Sequence, residues 1–354
     1  MTIVYILIAI LIFGVLIGIH EFGHFIAAKA CGVRVNEFAV GMGPAIWKKQ
    51  KGETLYALRL IPLGGYCAMD GEDEASEDPR AFTNQAPWKR IIILCAGAFM
   101  NFVLGLVVVL LLYSSAEYFR TPTLSGFMEG CPYEGEEALM VGDEFYKIDG
   151  HRIYMYYDVA DFLGRGGDSY DLVLIRDGKK IVLDDFYMPT VEYPDQENKM
   201  IGIYIGGVEK ANFGSTLKYS WNTTMEFGRM VWMSLGMLIR GEAGVKDLSG
   251  PVGIVELMAE TGEQAESTSD AIFNILYLGA FIAVNLAIMN MLPIPALDGG
   301  RVFLLLVTWL IESLTHKKLD PKYEGYIHGA GMILLLALMG FVMLNDIWKI
   351  IRGA

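Results

Sequence analysis

Charge is scarce in this chain. Only 19% of its 354 residues are Asp, Glu, Lys or Arg, against 53% apolar residues and a mean hydropathy of +0.39. That balance excludes an ordinary soluble globular protein and points to a chain that crosses a membrane several times. Cysteine is scarcer still: Cys31, Cys67, Cys95 and Cys131 stand apart with no CxxC pair, so neither a disulfide framework nor a thiolate zinc site is encoded. No basic stripe interrupts a net charge of −13, which excludes nucleic acid as a partner. No Lys or Arg precedes Lys29, so the first apolar run lacks the basic n-region of a cleaved signal peptide and reads as a retained helix. No internal repeat is visible.

Against these absences stand four uncharged runs, 2–19 (the helix continuing through HEFGH), 91–116, 271–297 and 329–345. Each is near the roughly 20 residues that a bilayer core requires. The stretch 29–90 carries nine basic residues, which by the positive-inside rule makes it cytoplasmic and the amino terminus extracytoplasmic. Alternation then puts residues 117 to about 270 outside. Much of the acidity lies there, with 18 Asp/Glu against 8 Lys/Arg in 117–208.

The first apolar run contains HEFGH, residues 20–24. Residues four apart stack on one face of a helix, so His20 and His24 can offer two imidazole nitrogens to one Zn²⁺. Glu21 is placed to accept the proton of an attacking water. Ionisable residues at mid-membrane cost about 2.5–3.5 kcal/mol each on insertion scales and are seldom structural. The competing reading is a polar helix face used for packing or proton conduction.

Two histidines leave a catalytic zinc one protein ligand short. Asp298, in NMLPIPALDGGR (residues 290–301), is the third ligand we read, because Pro293 and Pro295 forbid a regular helix and free backbone beside a carboxylate at the same membrane level. Its competing role is a helix cap for 299–311. His151, His316 and His328 are the remaining histidines, and His328 is the next candidate.

Residues 35–69, punctuated by Gly41, Gly43, Pro44, Gly52, Gly64 and Gly65, read as short strands joined by turns. The acidic patch DGEDEASED, residues 70–78, reads as a solvated stretch. Residues 119–207 read as a compact β domain with a hairpin at Asp177-Gly178. Residues 212–241, too short in their apolar part to span, read as an amphipathic helix on the outer leaflet, with a buried helix of the β domain as the alternative.

HEFGH paired with NMLPIPALDGGR resembles the site-2 protease family of intramembrane zinc metalloproteases, in its bacterial RseP/RasP branch. GMGP (41–44) matches the family's GxGP in a membrane-reentrant β hairpin, GCPYEGEEALMVGDEFYKIDGHRI (130–153) looks like a divergent PDZ core, and LSGPVGI (248–254) matches the segment before the third span. The resemblance implies one catalytic Zn²⁺ on His20, His24 and Asp298, and Glu21 as general base. It implies substrate contacts from Asn285 and Asn290, to which we add Pro293 and Pro295 of the same turn, and Gly41 and Gly43 on an edge strand that could hold an unwound segment.

The fold expected is therefore a polytopic α-helical membrane protein of four transmembrane helices, with a membrane-associated β hairpin sheet and one inserted extracytoplasmic PDZ-like domain. Its parts would be 1–116, 117–208, 209–270 as an interfacial linker, and 271–354. The activity expected is cleavage, near the cytoplasmic side of a bacterial cell membrane, of single-span proteins such as anti-sigma factors or signal-peptide remnants. An intramembrane zinc or proton transporter and a non-catalytic PDZ scaffold are the alternatives.

Overall fold

The computed structural model describes residues 2–72, 76–165, 167–194, 196, 198–242, 244, 250–316 and 322–352. They divide into two units, Met1–Val108 with Phe227–Ala354, and Val109–Glu226.

In the first unit, α1 (Thr2–Ala30), α2 (Pro87–Tyr113), α6 (Thr268–Asn290) and α8 (Lys322–Arg352) each contain an apolar stretch long enough to cross a bilayer. At 1.5 Å per residue, the 22 to 28 residues of those stretches reach or exceed the roughly 30 Å of hydrocarbon. Large apolar side chains such as Leu7, Leu11, Phe99 and Leu334 face outward, which water would penalise and lipid does not. The third uncharged run, 271–297, is helical only to Asn290, where the prolines that follow end it.

Helix α5 (Pro251–Glu263) packs with α1 and α6 around Ala9, Leu16, Met258, Ile275, Ile282 and Ala283. Its amino-terminal N–H groups, which no helical carbonyl can reach, are met from α8: Asp346 Oδ2, buried, accepts from Gly250 N at 2.9 Å and Gly253 N at 3.0 Å. Of the LSGPVGI segment, Leu248 and Ser249 lie outside the described residues. Helix α7 (Asp298–Thr315) follows α6 after a broken turn.

Where short strands and turns were expected, residues 35–69 form two long ones, β1 (Val35–Lys51) and β2 (Thr54–Met69). Residues 47–51 pair with 54–58, while 37–40 have partners on both sides, at 55–58 and 65–68. Gly52, at φ 61°, makes the expected turn between the two strands, whereas the other glycines lie within them. Gly41, Gly43 and Gly64 take φ of 86°, 80° and 89°, and so kink a ribbon that continues through them. Lys29 and Arg80 both pair with Glu53 at the ribbon's tip, each at 2.8 Å. Of the acidic patch, 73–75 lie outside the described residues, whereas its last residues are anchored, Ser76 to Asp70 and Asp78 to Arg34.

The second unit carries β3 (Tyr118–Phe127), β4 (Glu144–Ile148), β5 (His151–Arg152), α3 (Tyr156–Gly164), β6 (Ser169–Arg176), β7 (Lys179–Tyr187) and β8 (Ile203–Lys210). The sheet runs β7-β6-β4-β3-β8 with β5 on β4. Asp177 and Gly178, at φ 48° and 75°, turn the β6–β7 hairpin, the paired left-handed conformation that Asp-Gly supplies. Alternating residues Tyr170, Leu172 and Leu174 enter a core with Phe145, Ile148, Val159 and Met188. Fully buried Asp143 receives a forked hydrogen bond from Arg176, Nε to Oδ1 and Nη2 to Oδ2, both 2.7 Å.

The helix expected over 212–241 is α4 (Phe213–Arg240). Its two halves serve different cores. Tyr219, Ser220, Thr223 and Thr224 are buried in the second unit, and from Phe227 onward it belongs to the first, where Phe227 meets Tyr277 and Phe281.

Candidate active site

The HEFGH sequence stands where α1 and α2 touch backbone to backbone. A Cβ added at Gly23 would lie 2.4 Å from the Ala96 carbonyl oxygen of α2, so the glycine inside the motif is what lets the two helices close together. Immediately after Ala96 in α2, Gly97 faces the histidines. A Cβ there would stand 2.4 Å from His24 Nε2 and 2.8 Å from His20 Cε1.

From the other side comes Asp298, delivered by a chain that folds back on itself. Helix α6 ends at Asn290, Met291–Leu297 forms the turn, and α7 begins at Asp298. Ala296 takes φ 79°, a conformation that costs a non-glycine residue on the order of 1–2 kcal/mol. The two glycines after Asp298 are demanded by this fold-back: a Cβ at Gly299 would lie 2.3 Å from the Met291 carbonyl and one at Gly300 2.1 Å from the Ile294 oxygen. The N-cap position of α7 is held by Leu297, with no side-chain cap, and Asp298 is the first residue inside the helix.

Three atoms then converge. His20 Nε2 and His24 Nε2 are 3.1 Å apart, and Asp298 Oδ2 lies 3.2 Å from the first and 3.4 Å from the second. The His24 Nδ1 faces the Ile93 carbonyl oxygen at 2.8 Å. A carbonyl only accepts, so the proton sits on Nδ1 and the Nε2 lone pair is turned inward. Asp298 Oδ2 is buried and receives no hydrogen bond. The His24 lone pair, a carboxylate oxygen and the His20 Nε2 gathered at one point call for a cation. Tetrahedral bonds of about 2.0–2.1 Å space their donors about 3.3–3.4 Å apart, close to the separations present, so the donor set fits one zinc ion. Among the described residues this is the one cluster of three or more metal-ligating side chains that close together.

Half-buried Glu21 follows His20 on the same turn. Gly65 of β2 lies over it, since a Cβ at that position would be 3.4 Å from Glu21 Cγ. Asn290 Nδ2 is 3.5 Å from His20 Nδ1, at the edge of hydrogen-bonding range. Asn285 sits roughly 140° around α6 from Asn290, so the two do not share a face. Gly41 lines an apolar cavity of about 460 Å³ with Gly18, Ile19 and Phe22 of α1, next to the metal cluster in sequence. Gly43 gives its carbonyl to Arg59 at 2.6 Å. Pro293 and Pro295 lie in the α6–α7 turn, Pro295 against Gly331 of α8.

The other histidines are elsewhere. His151 stacks on Phe162 in the second unit, His316 closes α7 in a left-handed conformation, and His328 of α8 accepts from Ala296 N at 3.3 Å. Sequence reading assigns Gly65 only a turn and nothing to Gly23 or Gly97. Small residues within a helix long enough to span, at a level where histidines must be packed, are the signal that would have found Gly23 and Gly97.

The profile of Peptidase family M50 matches residues 8–338. A protein of Clostridium acetobutylicum provisionally named a zinc metalloprotease is 36% identical over 346 residues, 97% of each chain. One of Clostridium perfringens with the same designation is 36% identical over 347 residues, 97% of this chain and 98% of its own. The Bacillus subtilis protein named regulator of sigma-W protease RasP is 26% identical over 428 residues, 96% of this chain and 97% of its own. A transporter and a non-catalytic scaffold are thereby set aside. The chain belongs to peptidase family M50, the site-2 protease family, and is a membrane zinc metalloendopeptidase of the class that carries out intramembrane proteolysis.

Proposed function

We propose that this protein cleaves the transmembrane segments of single-span membrane proteins with a site made of His20, His24, Asp298 and Glu21. The observation that carries the reading is the convergence of His20 Nε2, His24 Nε2 and Asp298 Oδ2 within 3.1–3.4 Å of one another, beside Glu21. These three residues hold the zinc. Zinc bound there supplies Lewis-acid activation of water and polarises the scissile carbonyl.

The chain's own residues do the rest. Glu21 takes the proton of the attacking water at its carboxylate and passes it to the leaving amine, so that the C–N bond breaks to a carboxylic acid and an amine. His24 is held in one tautomer by Ile93, and Asn290 lies against His20. A transmembrane helix satisfies its own amides, so the substrate segment must be unwound before attack. The ribbon of β1 and β2 offers it backbone pairing at Gly41 and Gly43, with Gly65 leaving room above Glu21; Asn290, Pro293 and Pro295 contact it from the other side, and Asn285 from a different face of α6.

The topology we propose has the amino terminus and residues 117–270 extracytoplasmic, residues 29–90 cytoplasmic, and the site near the cytoplasmic face. The second unit is a PDZ-like gate that admits clients already trimmed outside. The parts we propose are 1–116, 117–208, 209–270 and 271–354; the outer-leaflet placement expected for 212–241 gives way to a helix whose second half packs on α6 through Phe227. Anti-sigma factors fit this client class, in keeping with the name of the Bacillus subtilis relative, as do signal-peptide remnants.

Glu21→Gln tests the reading, because Gln is nearly isosteric but cannot accept the proton. In cells expressing a tagged single-span substrate, zinc content should stay at the native level. Cleavage should drop by roughly 10²–10⁴-fold, with uncut substrate accumulating. Undiminished cleavage would remove Glu21 from the mechanism.

A further inference from the structure

His328, eighteen residues from the Asp346 anchor on α8, is not spent on the zinc cluster, and the turn it touches is the one that delivers Asp298. The Ala296 N–H points at its Nδ1 at 3.3 Å. An N–H only donates, so this ring nitrogen is the acceptor. One helical turn along α8, Gly331 abuts the same turn: a Cβ there would stand 2.3 Å from Pro295 Cβ and 2.9 Å from its carbonyl carbon. Ala296 between them is in the left-handed region at φ 79°, which alanine adopts rarely without something to hold it. Two residues later comes Asp298.

We propose that His328 is a positioning residue for the metal site: by accepting the Ala296 N–H it holds the Pro295–Ala296 turn in its strained conformation and so sets Asp298 Oδ2 among the histidines. This rests on the reading of Asp298 as a zinc ligand. Residues that orient metal ligands from behind typically change metal affinity about 10–100-fold when removed, and that is the effect expected of His328.

The experiment is zinc affinity of the purified full-length protein by chelator competition, for His328→Ala, His328→Asn, His328→Gln and Asp298→Ala, with cleavage measured alongside. The Asn amide oxygen can stand where Nδ1 stands, whereas the Gln oxygen reaches past it. Affinity should therefore fall about 10–100-fold in His328→Ala and His328→Gln and stay within about threefold of native in His328→Asn, with cleavage following affinity. Equal affinity in all three His328 variants overturns the proposal. So does an equal loss in all three, which would mark His328 as a ligand or a packing element. If Asp298→Ala itself keeps its zinc, the ligand assignment fails first. Loss of zinc in Asp298→Ala with none in His328→Ala refutes the positioning role alone.

Discussion

Gly97 of α2 and His24 of α1 are so close that a single methyl group on the glycine would lie 2.4 Å from the imidazole Nε2. The proposed zinc site is thus bounded on one side by bare backbone, and the absence of a side chain leaves room for the histidine rings.

Gly97→Ala should therefore empty the site. Alanine favours a helix by about 0.5–1 kcal/mol over glycine, so α2 itself is not weakened, and the loss comes from displacement of the two imidazoles. Metal analysis of the purified variant should find zinc reduced at least about tenfold, the scale of a disturbed ligand shell. Full occupancy would mean that the helices part easily at this point.

Asp346 should matter to stability and leave the chemistry alone. It caps α5 through Gly250 and Gly253, and a buried N–H left without a partner costs about 1–3 kcal/mol. Thermal unfolding in detergent should shift down in Asp346→Leu, which strands both N–H groups. Asp346→Asn, which keeps an acceptor, should shift less. Equal stability of Asp346→Leu and the native chain would show that water reaches the α5 terminus.

The proposed topology can be read with an impermeant thiol reagent. In a background with the four native cysteines replaced, a cysteine at exposed Glu77 should label only after the membrane is opened, and one at exposed Asp168 should label in intact cells. The reverse pattern would invert the orientation argued from the positive-inside rule.

Excision of the sheet unit should separate gating from catalysis. Ala211 N donates to the Glu117 carbonyl at 2.9 Å, so residues 118–210 can be removed and the ends joined by a short Gly-Ser bridge. Zinc content and cleavage of a short, pretrimmed substrate should persist, and untrimmed clients should become substrates. Loss of cleavage of the short substrate, with zinc retained, would show that the unit delivers substrate.

Sequence alone determined the local features: the apolar runs, because a bilayer core needs about 20 residues and this sets a length that any reader can measure; the His20–His24 pair, because a helix stacks residues four apart; the end of α6 at the prolines; and the Asp177-Gly178 hairpin. It also singled out Asp298 by chemistry, as a carboxylate beside a forbidden helix. What only the tertiary structure decided is how distant pieces meet. The glycines of β1 and β2 suggested turns, but a glycine's freedom of φ serves a bulge as well as a turn, and only pairing partners tell them apart. The division of α4 between two cores follows from which neighbours cover each half, something a single apolar pattern does not specify. That Gly97 faces His24, that Gly65 overlies Glu21, and that His328 grips the turn before Asp298 are contacts across 73, 44 and 32 positions of the chain respectively. No periodicity within one helix or strand encodes them, because they are set by the packing of one element on another.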